Sequence, residues 1–287
     1  MIQYWHWQNE GINEMIKIKD SAFTETIITP TNFPDGTKLL KYNVCTPRIQ
    51  ITWLYDGDEE LFQLIALTKH FKNMGCESIH LHMPYIPNAR MDRVKHDDEV
   101  FTLKWFAEII NSLGFTSVSV VNPHSNVSEA LFDRIFVDWK PLIDNVNDIR
   151  KKIPSINAIY YPDAGANKKF GDMLSYTGLP YMYGEKIRDW NTGQIKGLSI
   201  VNPQNCNGNT CLIVDDIISY GGSMYYSALE LQKMGFENIY CYATHVENSI
   251  LDQERGKLIK LDCVKKIYTT NSIFRGEHEK IEIIRNF

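Results

Sequence analysis

Short apolar runs alternate along this chain with helix-period patterns, and each run opens into a polar turn. Residues 49–55 (IQITWLY), 78–83 (SIHLHM), 117–121 (SVSVV), 158–161 (AIYY), 211–214 (CLIV) and 238–243 (NIYCYA) read as strands. Helices are predicted over residues 59–74, 100–113, 168–176 and 224–234. Three of them meet Gly75, Gly114 or Gly235, residues suited to the left-handed turn that stops a helix. Strands that alternate with helices are joined by crossovers, so they lie parallel in a sheet with helices on its faces. The expected fold class is α/β, with two tandem domains of parallel sheet flanked by helices. The boundary is expected between residues 140 and 155, giving domains 1–148 and 149–287. Residues 1–25, rich in Trp and Ile, are expected to pack on the first domain as a strand or helix.

A chain of 287 residues, 44% of them hydrophobic, can bury cores of this size. Its formal net charge of −5 argues against nucleic acid as a partner, because such a surface is basic. A local anion site is compatible with that balance. The six cysteines (Cys45, Cys76, Cys206, Cys211, Cys241, Cys263) show no metal-binding spacing, and several sit in apolar runs. They are expected to be reduced and structural. The opening MIQYWHWQNE lacks the pattern of a secretory leader, and no run reaches the ~18 apolar residues of a membrane span. A cytoplasmic protein (host cytoplasm if virus-encoded) with no membrane partner is the expectation.

Parallel sheets bind ligands beyond the carboxyl ends of their strands. The segment after the second strand, PYIPNARMDR (84–93), supplies Arg90, Asp92 and Arg93. NPHSN (122–126) supplies His124, and PDAGANKK (162–169) supplies Asp163, Gly165, Lys168 and Lys169. DDIISYGGS (215–223) supplies two adjacent carboxylates and a glycine turn. Each piece has a plain structural reading. An Asp-Asp pair caps helices and makes turns, a lone histidine is commonly scaffold, and Arg-x-Asp-Arg is commonly a solvated salt-bridge cluster. Their shared position at strand ends is what points to a site. Asp215 and Asp216 suit the cis hydroxyls of a ribose, or Mg²⁺ through its water shell. Gly221 and Gly222 precede a helix opening near Ser223, where backbone N–H groups can cradle an anion. Carboxylates beside an anion cradle suit a phosphorylated sugar. Arg90 and Arg93 add forked contacts to phosphate, and His124 suits a metal bridging polyphosphate oxygens.

In combination these segments resemble the PRPP synthetases (ribose-phosphate diphosphokinases), which share the type I phosphoribosyltransferase fold. VDDII followed by GGS resembles the ribose-phosphate motif of both groups. PYIPNARMDR is similar to the Pro-Tyr-x-x-x-Ala-Arg-Gln-Asp-Arg segment of the synthetases, which the transferases lack. FPDGT (33–37) is similar to the family's Phe-Ser-Asp-Gly-Glu loop, which contacts ATP bound to a neighbouring subunit. His124 falls at the metal histidine of its Asp-Leu-His, and PDAGANKK matches its Ser-Pro-Asp-x-Gly segment. GEKIRD (184–189) resembles the mobile Lys-Arg-Arg catalytic loop, and YATH (242–245) completes the series, so the matches run in order over residues 33–245.

The resemblance implies diphosphoryl transfer: the anomeric hydroxyl of a ribose attacks the β-phosphorus of ATP in line, and AMP leaves. It implies Mg²⁺, with ATP as co-substrate. The N-terminal domain would be the ATP side and the C-terminal domain the ribose-phosphate side. Phe33, Asp35, Arg90, Asp92 and Arg93 would hold ATP, and His124 and Asp163 would organise Mg²⁺. Lys186 and Arg188 would close over the transferring group, although taken alone they read as a solvated charge pair. Asp215, Asp216, Ser219, Tyr220, Gly221, Gly222 and Ser223 would hold the ribose phosphate. An ATP site completed across subunits implies a homo-oligomer, a dimer or a hexamer.

The family's phosphate loop reads Asp-Thr-Gly-Gly-Thr, whereas this chain has Ser219-Tyr220-Gly221-Gly222-Ser223. Met91 replaces Gln, Asn88 replaces Tyr and Thr37 replaces Glu. A phenol in place of a small hydroxyl suits a 5-phosphate that bears a substituent, and its ring could stack on a base or second sugar. ADP-ribose is therefore the favoured acceptor, since it keeps a free anomeric hydroxyl and a 5-phosphoryl group. Synthetase-like enzymes with that acceptor are known from bacteriophages, where they serve NAD⁺ rebuilding. The alternatives are an ordinary PRPP synthetase using ribose 5-phosphate, a phosphoribosyltransferase, and a non-catalytic regulatory homologue. A transferase would leave PYIPNARMDR and GEKIRD without a role. Retention of Arg90, His124, Lys186 and Asp215 argues against the regulatory reading.

Overall fold

The computed structural model describes residues 15–43, 46–188, 195–206 and 208–287; the side chains of residues 186–188, 195–197 and 205 lie outside that description. The first half runs β1 (Ile16–Lys19), β2 (Glu25–Ile27), β3 (Thr31–Asn32), β4 (Lys38–Leu39), β5 (Arg48–Trp53), α1 (Glu59–Asn73), β6 (Ser78–His82), α2 (Thr102–Ser112), β7 (Ser117–Val121), α3 (Asn126–Leu131), β8 (Ile135–Asp138) and α4 (Lys140–Lys152). The second half runs β9 (Ala158–Tyr161), α5 (Ala164–Leu174), β10 (Tyr181–Arg188), β11 (Ile195–Val201), β12 (Thr210–Ile218), α6 (Gly222–Lys233), β13 (Asn238–Val246), β14 (Val264–Thr270) and β15 (Ile281–Ile284).

Among the described residues these strands form a six-stranded sheet ordered β2-β1-β5-β6-β7-β8, a seven-stranded sheet ordered β11-β10-β9-β12-β13-β14-β15, and the separate hairpin β3-β4. Strands β5 to β8 are parallel, and β1 and β2 add an antiparallel edge. The second sheet is parallel except for β11, which returns antiparallel along β10. The expected α/β class, with two parallel sheets flanked by helices, is what the chain adopts.

Helix α2 shows why the helical periods fold as they do. Leu103, Phe106, Ala107 and Ile110, spaced one turn apart, are its buried face. Each large side chain so buried stabilises the fold by about 1.5–3 kcal/mol. The central strands of the second sheet are covered on both faces, which makes them continuous apolar runs. Along β12, Cys211 and Ile213 enter the core shared with Met224, Ala228 and Leu231 of α6. Leu212 and Val214 enter the opposite core, with Phe170 and Leu174 of α5 and Leu142, Val146 and Ile149 of α4. Helix α4 thus packs on the second sheet, and the boundary expected at residue 148 falls inside it.

One strand and one helix extend beyond the patterns that predict them. β12 continues through Asp215 and Asp216 because its pairing with β13 continues, Asp215 opposite Ala243 and Ile218 opposite Val246. Helix α5 begins at Ala164 rather than Lys168, since Asp163 caps it. Cys206, Cys211, Cys241 and Cys263 are free thiols, and Cys45 lies outside the described residues. No helix among the described residues is long and apolar enough to cross a membrane.

Candidate active site

The two sheets meet at the carboxyl ends of their central strands, β7 against β12 and β13. His245 donates from Nε2 to the carbonyl of Val121 at 3.0 Å. Its Nδ1 meets the hydroxyl of Ser272 at 2.9 Å. Asn122, fully buried, donates to Thr244 Oγ1 at 2.8 Å. Arg275 reaches the carbonyl of Leu54, at the end of β5, at 3.3 Å. Burial pulls the His245 imidazole down to about 4. Because a carbonyl only accepts, Nε2 carries the proton, and the ring is a neutral seam residue. YATH therefore contributes scaffold through its histidine.

At the centre of this seam the two adjacent aspartates have unlike surroundings. Asp216 Oδ2 accepts from His124 Nδ1 at 2.9 Å and from Lys169 Nζ at 3.1 Å. Lys169 also donates to the carbonyl of Pro123 at 2.7 Å, so it ties α5 to the turn after β7. Burial alone would raise the Asp216 carboxyl. The His124 hydrogen bond and the Lys169 charge outweigh it and hold the group well below the usual carboxylate range. Burial pulls the Lys169 ammonium down against the attraction of Asp216. Asp215, on the opposite strand face, is pushed well up by burial and then by the charge of Asp216.

The donors fit Mg²⁺ carried in with a polyphosphate. Asp216 fixes the Nδ1–H tautomer of His124 and leaves the Nε2 lone pair for a cation, the arrangement of carboxylate-oriented metal histidines. Asp163 commits Oδ1 to the backbone N–H of Ala166, at 3.0 Å, as the α5 cap. Among the described residues no three His, Cys, Asp or Glu side chains converge as a cage. Mg²⁺ does not require one, because it keeps several waters and takes one or two protein ligands plus phosphates.

A polar chain links the segment after β6 to the loop before α6. Arg90 Nη1 donates to Glu247 Oε1 at 2.8 Å, and Ser249 donates to Glu247 Oε2 at 3.1 Å. Ser249 in turn meets the Ser219 hydroxyl at 3.1 Å. Arg93 pairs with Asp92 at 3.0 Å. Burial would raise the Asp92 carboxyl, but the Arg93 hydrogen bond and charge bring it below its ordinary value. Gly221, with φ +82°, makes the turn into α6; a Cβ there would lie 2.9 Å from Leu258 Cβ. Among the described residues no side chain caps that helix, which leaves its first N–H groups without a side-chain acceptor there. Gly222 and Ser223 form its first turn.

FPDGT keeps the loop form expected of it, whereas GEKIRD does not. FPDGT is the tip of the β3-β4 hairpin, with Phe33 half exposed. Asp35 is committed locally, to the backbone N–H and hydroxyl of Thr37 at 3.0 and 2.7 Å. GEKIRD, expected as a loop, is strand: Lys186 pairs with Leu198 and Arg188 with Ile195 in the β10-β11 hairpin. The β-prone Ile195–Val201 segment offers its backbone a ladder. The side chains of Lys186 and Arg188, and residue 189, lie outside the described residues.

Sequence reasoning noticed Lys169 without giving it a role, and passed over Glu247, Ser249 and Arg255. Glu247 and Ser249 follow β13 directly, so the strand-end rule could have found them. Arg255 lies in a turn no pattern marks, yet its guanidinium stacks on the Tyr220 ring, 3.8 Å from the centroid.

No protein-family model matches the chain. Over 258 residues it is 26% identical to a ribose-phosphate pyrophosphokinase of Saccharolobus solfataricus, covering 88% of this chain and 86% of that protein. It is 28% identical over 245 residues to that of Thermococcus kodakarensis, with 84% and 82% covered. The Bacillus subtilis protein of the same name is 27% identical over 229 residues, with 78% and 69% covered. A crystal structure of phosphoribosylpyrophosphate synthetase from Mycobacterium smegmatis superposes with a TM-score of 0.71 over 90% of this chain and 85% of that one. At 17% identity this last likeness is one of fold.

Proposed function

We propose that this chain is a pyrophosphokinase of the ribose-phosphate type. It transfers the β,γ-diphosphoryl group of ATP to the anomeric hydroxyl of a ribose 5-phosphate moiety and releases AMP. The single observation that carries the reading is the His124–Asp216–Lys169 cluster, which joins the turn after β7 to the ribose-motif strand and the PDAGANKK helix. Kinship along most of the chain with ribose-phosphate pyrophosphokinases supports it.

The residues then divide as follows. Phe33, Asp35, Arg90, Asp92 and Arg93 hold ATP, and Asp215 with Asp216 holds the ribose hydroxyls. Ser219 to Ser223 cradle the 5-phosphate. Lys186 and Arg188 approach the transferring group, where loss of one such contact costs about 3–4 kcal/mol of barrier, by analogy with oxyanion donors. Mg²⁺, held through His124 and Asp163, would neutralise polyphosphate charge. The finer part of the reading is the acceptor: ADP-ribose, for the reason Tyr220 gives, which would place the reaction in NAD rebuilding. A homo-oligomer, with Phe33 of the β3-β4 hairpin reaching a neighbouring subunit's ATP, and a cytoplasmic setting complete it.

The test is AMP release from ATP and Mg²⁺ with ribose 5-phosphate and ADP-ribose offered separately. AMP with ADP-ribose alone supports the whole reading. AMP with ribose 5-phosphate alone keeps the reaction and removes the acceptor assignment. AMP with neither removes the enzyme.

A further inference from the structure

We propose that Arg255 selects the acceptor by binding the second phosphate of a diphosphate ester attached to the ribose. This rests on the ADP-ribose reading above and names the side chain that would enforce it. The segment from Ser249 to Leu258 lines the loop before α6 residue by residue. Ser249 meets Ser219, Arg255 meets Tyr220, and Leu258 fills the space beside Gly221.

The turn that carries Arg255 is fixed. Asp252 Oδ1 accepts from the backbone N–H of Glu254 at 3.0 Å and of Arg255 at 2.8 Å. Gly256 is buried so tightly that a Cβ would lie 2.1 Å from the carbonyl oxygen of Ile250. The guanidinium lies on the Tyr220 ring, and Asp252 Oδ2 takes one of its N–H groups at 3.4 Å. Cation–π attraction, with the guanidinium carbon 3.8 Å from the ring centroid, consumes none of its five N–H donors. The remaining donors open to solvent, the side chain being 62% exposed.

A phosphate monoester would find its partners in the loop itself. A diphosphate adds a second anionic group one bridging oxygen further out, and Arg255, held over Tyr220 of the same loop, presents exposed donors that could meet it. The phenol at position 220 then has a specific task, to serve as the platform that orients the guanidinium. With one ring face so covered, a base could stack on the other face alone.

The experiment measures KM for ADP-ribose and for ATP, by AMP release, in the full chain and in Arg255→Met, Arg255→Lys and Tyr220→Leu. Arg255→Met is expected to raise KM for ADP-ribose about tenfold or more relative to KM for ATP, with Arg255→Lys recovering part of the loss. Tyr220→Leu should fall between them. Ribose 5-phosphate, tested as substrate or as competitor, should weaken far less. If the unmodified chain uses ADP-ribose and Arg255→Met leaves its KM unchanged, this assignment falls while the acceptor reading stands. Equal weakening of both acceptors would make Arg255 loop scaffold and also overturn it. If the unmodified chain ignores ADP-ribose, both fall together.

Discussion

The centre of the seam and its rim use the same residue types to different ends. At the centre, Asp216 is 6% exposed and carries a lysine and a histidine on one oxygen. At the rim, Arg90 pairs with Glu247 while 54% exposed, and Arg255 lies on Tyr220 in contact with solvent. Low dielectric makes each charge at the centre depend on its partner, whereas water screens the rim pairs. On the proposed function, folding and chemistry are joined in one cluster, while the ligand choice proposed for Arg255 would sit where a substitution costs little stability.

The largest effect that could break this contrast is Asp216→Ala. It leaves the Lys169 ammonium buried without its carboxylate and should cost about 3–5 kcal/mol in urea unfolding, with AMP release lost. Adding Lys169→Met to it should return part of that stability, because the stranded charge is gone; strict additivity of the two would show that they do not interact. The second effect concerns pH. Unfolded, the His245 ring titrates near 6.5; buried, it titrates at about 4. Above pH 6.5 neither state binds the proton and stability is full. Between there and pH 4 the unfolded state alone takes it up, so stability should fall by on the order of 3 kcal/mol. His245→Gln should flatten this slope in melts taken across that window. The third is His124→Ala, expected to slow AMP release by about 10²-fold, with a much smaller change in unfolding midpoint than Asp216→Ala. The smallest is Glu247→Gln, which should change stability by less than about 1 kcal/mol, as exposed ion pairs do. A larger loss would mean that the rim holds the halves together as the centre does.

How much of this the sequence disclosed depended on whether a residue's meaning is local. The β7 strand and the buried stripe of α2 were legible because burial imposes a period that neighbours reveal. The strand-end rule found His124 and Asp216 but could not show that they touch, since 92 residues separate them. The extension of β12 through two aspartates was hidden, because it is set by the ladder with β13 and not by the residues' own preference. GEKIRD was read as a loop for the same reason: what makes residues 184–188 a strand is their pairing with β11, which their own preference does not reveal. Arg255 was invisible, since its role needs a ring on another segment.

Because two opposed strand ends supply the His124–Asp216–Lys169 cluster, neither half holds it alone. A change that parts the two sheets would therefore dismantle the His124–Asp216 contact while each sheet kept its own ladder of hydrogen bonds.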